Sequence, residues 1–144
     1  MEVSEIKVSY TNTNKEKVRI KDSRTSYEVV LSHWDLNIIE FMEEVKVLLL
    51  DRASNVLGIY DLARGGTASC IVDIKIVLSV ALKTHASSII LVHNHPTGYL
   101  VPSKADKSLT TKIKQACEYV DLVLLDHLII SKESYYSFSD EGCL

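Results

Sequence analysis

The alternation of apolar and polar positions divides the chain into short, regular segments. The first thirty residues are polar with β-leaning patches at Glu5 to Tyr10, Glu16 to Ile20 and Tyr27 to Leu31, interrupted by Thr11-Asn12-Thr13-Asn14. From His33 to Glu43, Trp34, Ile38, Phe41 and Met42 recur at helical spacing and predict a helix. Val45 to Asp51 is an unbroken apolar run, the pattern of a strand buried on both faces, and Asn55 to Leu62 predicts its hairpin partner across Arg52-Ala53-Ser54. Arg64-Gly65-Gly66-Thr67 predicts a turn, which would either line a substrate groove or serve as a plain loop.

Ile74, Val77, Leu78, Ala81 and Leu82 then share one helical face over Asp73 to Thr84, with an N-cap near Asp73. Ser88 to His93 is a second buried strand, ended by Pro96. Lys104 to Val120 is a long amphipathic helix started by Ser103, followed by strands at Leu122 to Ser131 and Tyr135 to Ser139. This order predicts an α/β (α+β) architecture, a mixed sheet flanked by helices, as one domain over residues 1–144 with residues 1–22 as an N-terminal extension.

Composition narrows the class. With 47 % hydrophobic and 24 % charged residues, the chain fits an ordinary globular domain and excludes a disordered, collagen-like or coiled-coil protein. No apolar stretch approaches the ~18 residues of a membrane span, and Met1 to Glu5 lacks the features of a secretion signal. Three widely spaced cysteines, Cys70, Cys117 and Cys143, with no C-x-x-C, imply reduced thiols in a cytoplasm. The net charge of −3 is a poor match for a dedicated nucleic-acid binder. Locally, however, Lys15, Lys17, Arg19 and Lys21 alternate, and a strand would place all four on one face. That stripe is either a surface for nucleic acid or an acidic partner, or a solvated face kept charged against edge pairing.

Only two prolines and five glycines punctuate the chain, and Pro96, Gly98 and Pro102 fall within seven residues. This loop joins His93-Asn94-His95 to Ser103-Lys104-Ala105-Asp106. His93 and His95, two positions apart at a strand end, project from one face and can converge on an ion ~2.0–2.1 Å away. Asp106, on the first turn of the next helix, can swing back beside them. Two imidazoles, one carboxylate and a position left to water form a catalytic zinc arrangement. Taken singly, Ser103 and Asp106 also read as an N-cap with an acidic residue favoured by the helix dipole, a role compatible with ligation.

His-x-His, seven residues, Ser, two residues, Asp resembles the metal-binding motif of the JAB/MPN (JAMM) metalloproteases. The wording His93 to Gly98, Pro102-Ser103 and Asp106 resembles the bacterial RadC family, as do Leu125-Asp126-His127-Leu128-Ile129 and Leu48-Leu49-Leu50-Asp51. The match runs from about Ser23 to the C-terminus. The resemblance implies a JAB/MPN (cytidine-deaminase-like) fold and one Zn2+ held by His93, His95 and Asp106. It also implies a hydrolase that cuts a peptide or isopeptide bond in a peptide or protein substrate. Its register points to Glu43 as general base, with Glu44 as fallback, and to Ser103 as a donor to the developing oxyanion or a support for the water.

The chain departs from the family at Ile74-Lys75-Ile76, where Pro-Arg-Glu is common, and the helix-hairpin-helix region of longer members is not expected here. The family's DNA-repair label therefore does not carry over by these residues. A second reading, a metal-binding interaction module with weak affinity for DNA or DNA-processing proteins, rests on the basic stripe and the family's naming. Asp126 and His127 point to opposite faces of a buried strand, and one of them would orient a ligand imidazole or merely satisfy local hydrogen bonds. His33 and His85 are expected at the surface. The H-x-E with P-C-x-x-C of nucleobase deaminases and the H-E-x-x-H of zincins are absent, and the letters His-Asn-His do not make an HNH nuclease.

Overall fold

A computed structural model describes residues 1–65 and 71–144. It contains β1 (Glu44–Leu50), β2 (Val56–Arg64), β3 (Ser88–Asn94), β4 (Val123–Ile130) and β5 (Tyr135–Ser137), with helices α1 (Ser23–Leu31), α2 (Ile74–Lys83) and α3 (Lys104–Glu118). The strands form one sheet in the order β2-β1-β3-β4-β5. All pairings are antiparallel except β3 with β4, which run parallel because α3 carries the chain back across the sheet.

The continuous apolar runs behave as the sequence implies. Every residue of β1 and β3 is buried. Alternate side chains serve two cores. Leu48, Leu50, Ile90, Val92, Leu128 and Ile130 pack with Tyr27, Val30 and Trp34 on the α1 side. Val45, Val47, Leu49, Ile89 and Leu91 pack with Val77, Ala81, Ile113 and Cys117 on the α2/α3 side. Burying each of the Val, Leu and Ile side chains stabilises the fold by about 1.5–3 kcal/mol.

Several expectations are corrected. Tyr27 to Leu31 belongs to α1, not to a strand. The Asp22 carboxylate accepts from the Thr25 N–H at 2.7 Å and starts the helix, whose Ser26, Tyr27 and Val30 are buried, so tertiary packing overrides the β-leaning composition. His33 to Glu43 is a series of turns, not a helix. Asp35 opens a separate turn, its carbonyl accepting from Ile38 and Ile39 at 3.1 Å and its side chain from the Asn37 N–H. Phe41, expected on the buried face, is 79 % exposed.

Residues 1–18 form no strand, and neither Glu5 to Tyr10 nor Glu16 to Ile20 pairs as one; only Arg19 makes an isolated bridge, with Asn55. Lys15, Lys17, Arg19 and Lys21 are exposed, but the strand that was to align them on one face does not form. Gly66 and Thr67 of the expected turn, and Cys70, lie outside the described residues. His33 and His85 are exposed, each just past a helix end.

Candidate metal centre

The end of β3 lies against the start of β1, with His93 opposite Val45 in the antiparallel register. The pleat therefore places Glu43, two residues before Val45, on the face that carries His93, whereas Glu44 faces the other way. The loop after β3 turns at once: Gly98, at φ +75°, donates its N–H to the His95 carbonyl at 2.8 Å. Pro102 leads into α3, where Ser103 and Asp106 form a reciprocal capping box. The Asp106 N–H donates to Ser103 Oγ at 3.0 Å, and the Ser103 N–H donates to Asp106 Oδ2 at 2.8 Å.

This arrangement brings together the residues singled out in the sequence. His93 Nε2 lies 3.2 Å from Asp106 Oδ1, His95 Nε2 lies 3.2 Å from Asp106 Oδ2, and Glu43 Oε1 lies 3.9 Å from His93 Nε2. One ligand atom from each of Glu43, His93, His95 and Asp106 falls within 4.8 Å of the others. His93 forms the floor at 3 % side-chain exposure, while His95, Asp106 and Glu43 keep 13–19 %, so the cluster opens to solvent on one side. Ser103 stands at the rim. Its oxygen accepts from the Asp106 N–H, which leaves the hydroxyl hydrogen uncommitted to the cap.

The donor chemistry suits a cation. His95 Nδ1 faces the Tyr99 carbonyl oxygen at 2.6 Å, and a carbonyl only accepts, so Nδ1 carries the ring proton and Nε2 is bare. That nitrogen faces His93 Nε2 at 3.0 Å, with the Asp106 carboxylate beside both. Two imidazole nitrogens and one or two carboxylates form a set that fits zinc. Burial works to raise the Asp106 carboxyl, but the adjoining His93 and His95 rings, whenever they carry a second proton, and the Ser103 N–H outweigh it and hold the group well below the usual carboxylate range. The same contact with Asp106 lifts the His95 imidazole above its ordinary value.

Behind the cluster, His93 Nδ1 meets His127 Nε2 at 2.8 Å, and His127 Nδ1 meets Thr110 Oγ1 at 2.6 Å. Burial drives the His127 imidazole well below its ordinary value and keeps it neutral. Of the pair Asp126 and His127, it is His127 that reaches a proposed ligand. Asp126 turns to the opposite face and accepts from the Ser137 hydroxyl at 2.6 Å and the Ser139 N–H at 3.0 Å.

Sequence reasoning missed Asn94. Placed between the two histidines and therefore on the opposite face, it is fully buried. Its Nδ2 donates to the Ile39 carbonyl at 2.6 Å and the Met42 carbonyl at 2.9 Å, while Oδ1 accepts from the Glu44 N–H at 2.7 Å. The Glu43 carbonyl accepts from the Gly65 N–H at 2.8 Å. Glu43 is thus presented by a backbone clamped on both sides of it. The available signal was the strand period: an amide on the inner face of a buried strand needs partners. Glu44, the fallback base, ion-pairs with Arg64 at 3.0 Å.

A family model described as "RadC-like JAB domain" matches residues 20–143. A UPF0758 protein of Flavobacterium johnsoniae is 49 % identical over 100 residues, covering 69 % of this chain and 44 % of that protein. One from Porphyromonas gingivalis is 37 % identical over 126 residues, covering 87 % and 54 %. A third, from Thermotoga maritima, is 41 % identical over 100 residues, covering 69 % and 45 %. The chain thus spans about half the length of the curated relatives it matches. The mixed sheet and three helices are consistent with a JAB/MPN fold. Sequence match and architecture agree, and the chain belongs to the RadC-like JAB domain family.

Proposed function

We propose that this chain is a zinc-dependent hydrolase that cleaves a peptide or isopeptide bond in a peptide or protein substrate. The observation that supports it is the convergence of His93 Nε2, His95 Nε2 and the Asp106 carboxylate, with Glu43 Oε1 on the same face. One zinc held by His93, His95 and Asp106 would supply a Lewis acid and lower the pKa of a coordinated water toward about 7.

The chain's own residues supply the rest. Glu43 accepts the proton of the attacking water as its oxygen bonds to the carbonyl carbon, then delivers that proton to the amine as the C–N bond breaks. Ser103, at the rim, donates its hydroxyl hydrogen to the oxygen on which charge develops. The side left open at His95, Asp106 and Glu43 admits the substrate carbonyl. Cys117 and Cys143 are free thiols, and no described helix is long and apolar enough to cross a membrane. A cytoplasmic enzyme is the matching setting.

Metal analysis of the purified protein beside Asp106→Ala, followed by a screen of peptide and isopeptide substrates, tests this reading. About one zinc per chain, lost in the variant, together with turnover abolished by Glu43→Gln, is the expected result. Absence of near-stoichiometric zinc, or zinc that survives His95→Ala unchanged, overturns it. Zinc without turnover on any substrate would leave a metal-binding module and remove the hydrolase.

A further inference from the structure

The hydrogen bonds behind His93 can be assigned from a single fixed starting point. The Asp106 carbonyl oxygen only accepts, so Thr110 Oγ1, 2.7 Å away, spends its one hydrogen on it. The Thr110 oxygen then has none left for His127 Nδ1, at 2.6 Å, and that nitrogen must be the donor. A neutral His127 with a proton on Nδ1 has a bare Nε2, which accepts from His93 Nδ1–H at 2.8 Å. A neutral His93 with its proton on Nδ1 presents a bare Nε2 to the cluster, 3.2 Å from Asp106 Oδ1. Asp106 therefore stands at both ends of the chain, its carbonyl setting the direction and its carboxylate meeting the result.

The surroundings are built to hold this order. Thr110 and His127 are buried, at 3 % and 0 % exposure, so water does not compete for their hydrogen bonds. The His127 ring stacks on Phe138 at 4.6 Å and 6°, which fixes its plane. A register shift in the β3–β4 pairing leaves Leu125 without a partner between Leu124 and Asp126. A bulge re-aims every side chain beyond it. Leu124 lies in the α2/α3 core, and regular alternation from there would send His127 to the α1 side. With the shift, His127 sits opposite Leu91 and points at α3 and His93.

We infer that Thr110 and His127 are positioning residues of the metal centre, which lock His93 in its Nδ1–H tautomer so that Nε2 meets the ion without a proton to shed. The inference rests on the reading of the cluster as a metal site. A partner that fixes the tautomer of a ligating histidine typically matters 10–100-fold in metal affinity.

Two measurements on the full chain test it. Long-range proton–nitrogen NMR of the metal-free protein, at a pH of about 9, above the imidazole range, reads the tautomers directly. His93 and His127 should each show a protonated Nδ1 and a bare Nε2, and the reverse tautomer at His93 overturns the inference. Zinc affinity, measured by chelator competition, should fall roughly 10–100-fold in Thr110→Val and return toward wild type in Thr110→Ser. His127→Leu should weaken zinc in the same way, while His127→Gln, whose Oε1 can accept from His93 Nδ1–H, should recover much of the loss. Wild-type affinity in Thr110→Val, or equal weakness in Thr110→Ser and Thr110→Val, means that the hydroxyl does not act as described and overturns it. A wild-type protein that binds no zinc refutes the metal reading and with it the positioning role. Tight wild-type binding with the reverse tautomer refutes the positioning role alone.

Discussion

Glu43 and Glu44 are neighbours in the chain, yet they serve opposite faces of the sheet, and so do His93 and Asn94. On the α2/α3 face, Glu43, His93, His95 and Asp106 bring nitrogen and carboxylate lone pairs within 4.8 Å of one another. On the α1 face Asn94 clamps Ile39, Met42 and Glu44, and Glu44 Oε2 pairs with Arg64. One face gathers groups that want a cation, and the other spends its hydrogen bonds on holding them still. The period of two along a strand is enough to separate candidate ligands from the groups that support them at the same point of the chain.

The sharpest way to break this comparison is to remove the carboxylate from one face and then from the other. Glu43→Gln should lower turnover by about 10²–10⁴ with zinc content unchanged. Glu44→Gln should leave turnover at the wild-type level, and equal losses in steady-state kinetics would erase the distinction. Chelation comes next in size. At free zinc about 1,000-fold above Kd, the ion should add about 4.1 kcal/mol of stability, on the order of 10 °C in Tm for a chain of this size. In thermal melts with and without chelator, Asp106→Ala should show none of that shift.

Asn94→Ala probes the supporting face. Three hydrogen bonds at about 1 kcal/mol each should together cost roughly 3 kcal/mol in urea unfolding. Turnover should fall as Glu43 loses its seat, while zinc affinity changes less than in any ligand variant. The smallest expected effect is at Asp126, also on the α1 side. Burial pushes its carboxyl above 3.8, and donors from Ser137, Ser139 and His127 only partly offset it. An acid whose folded pKa is raised holds its proton more tightly in the folded state. Stability from this group therefore falls as pH rises from about 3.8 through the folded value. Asp126→Asn should remove that fall, as read from urea midpoints measured across the acid range.

The parts of the molecule legible in the sequence are those whose signal is local. Val45 to Leu50 and Ser88 to Val92 are continuous apolar runs because they are buried on both faces, and they read as strands without further help. The histidine pair, the proline-framed loop and the Ser103 and Asp106 cap lie within 14 residues, so their convergence was also readable. Segments whose conformation is decided elsewhere were not. Tyr27 to Leu31 is helical because Tyr27 and Val30 find the sheet. His33 to Glu43 loses its helix as Asp35 starts a new turn and a side chain from β3 draws in the Ile39 and Met42 carbonyls. Which of Asp126 and His127 backs the histidine cluster depends on one unpaired residue in β4, which no spacing rule reveals.

The parallel pairing of β3 with β4 has a consequence for how such a domain diverges. His93, His95, Asp106, Thr110 and His127 all belong to the β3–α3–β4 segment, whereas Glu43 immediately precedes β1. The candidate ligands and the proposed base are thus carried by separate stretches of chain. On the proposed function, a descendant could lose Glu43 and keep the candidate ligand set with its buried support, so an inactive metal binder would lie a single substitution from the proposed hydrolase.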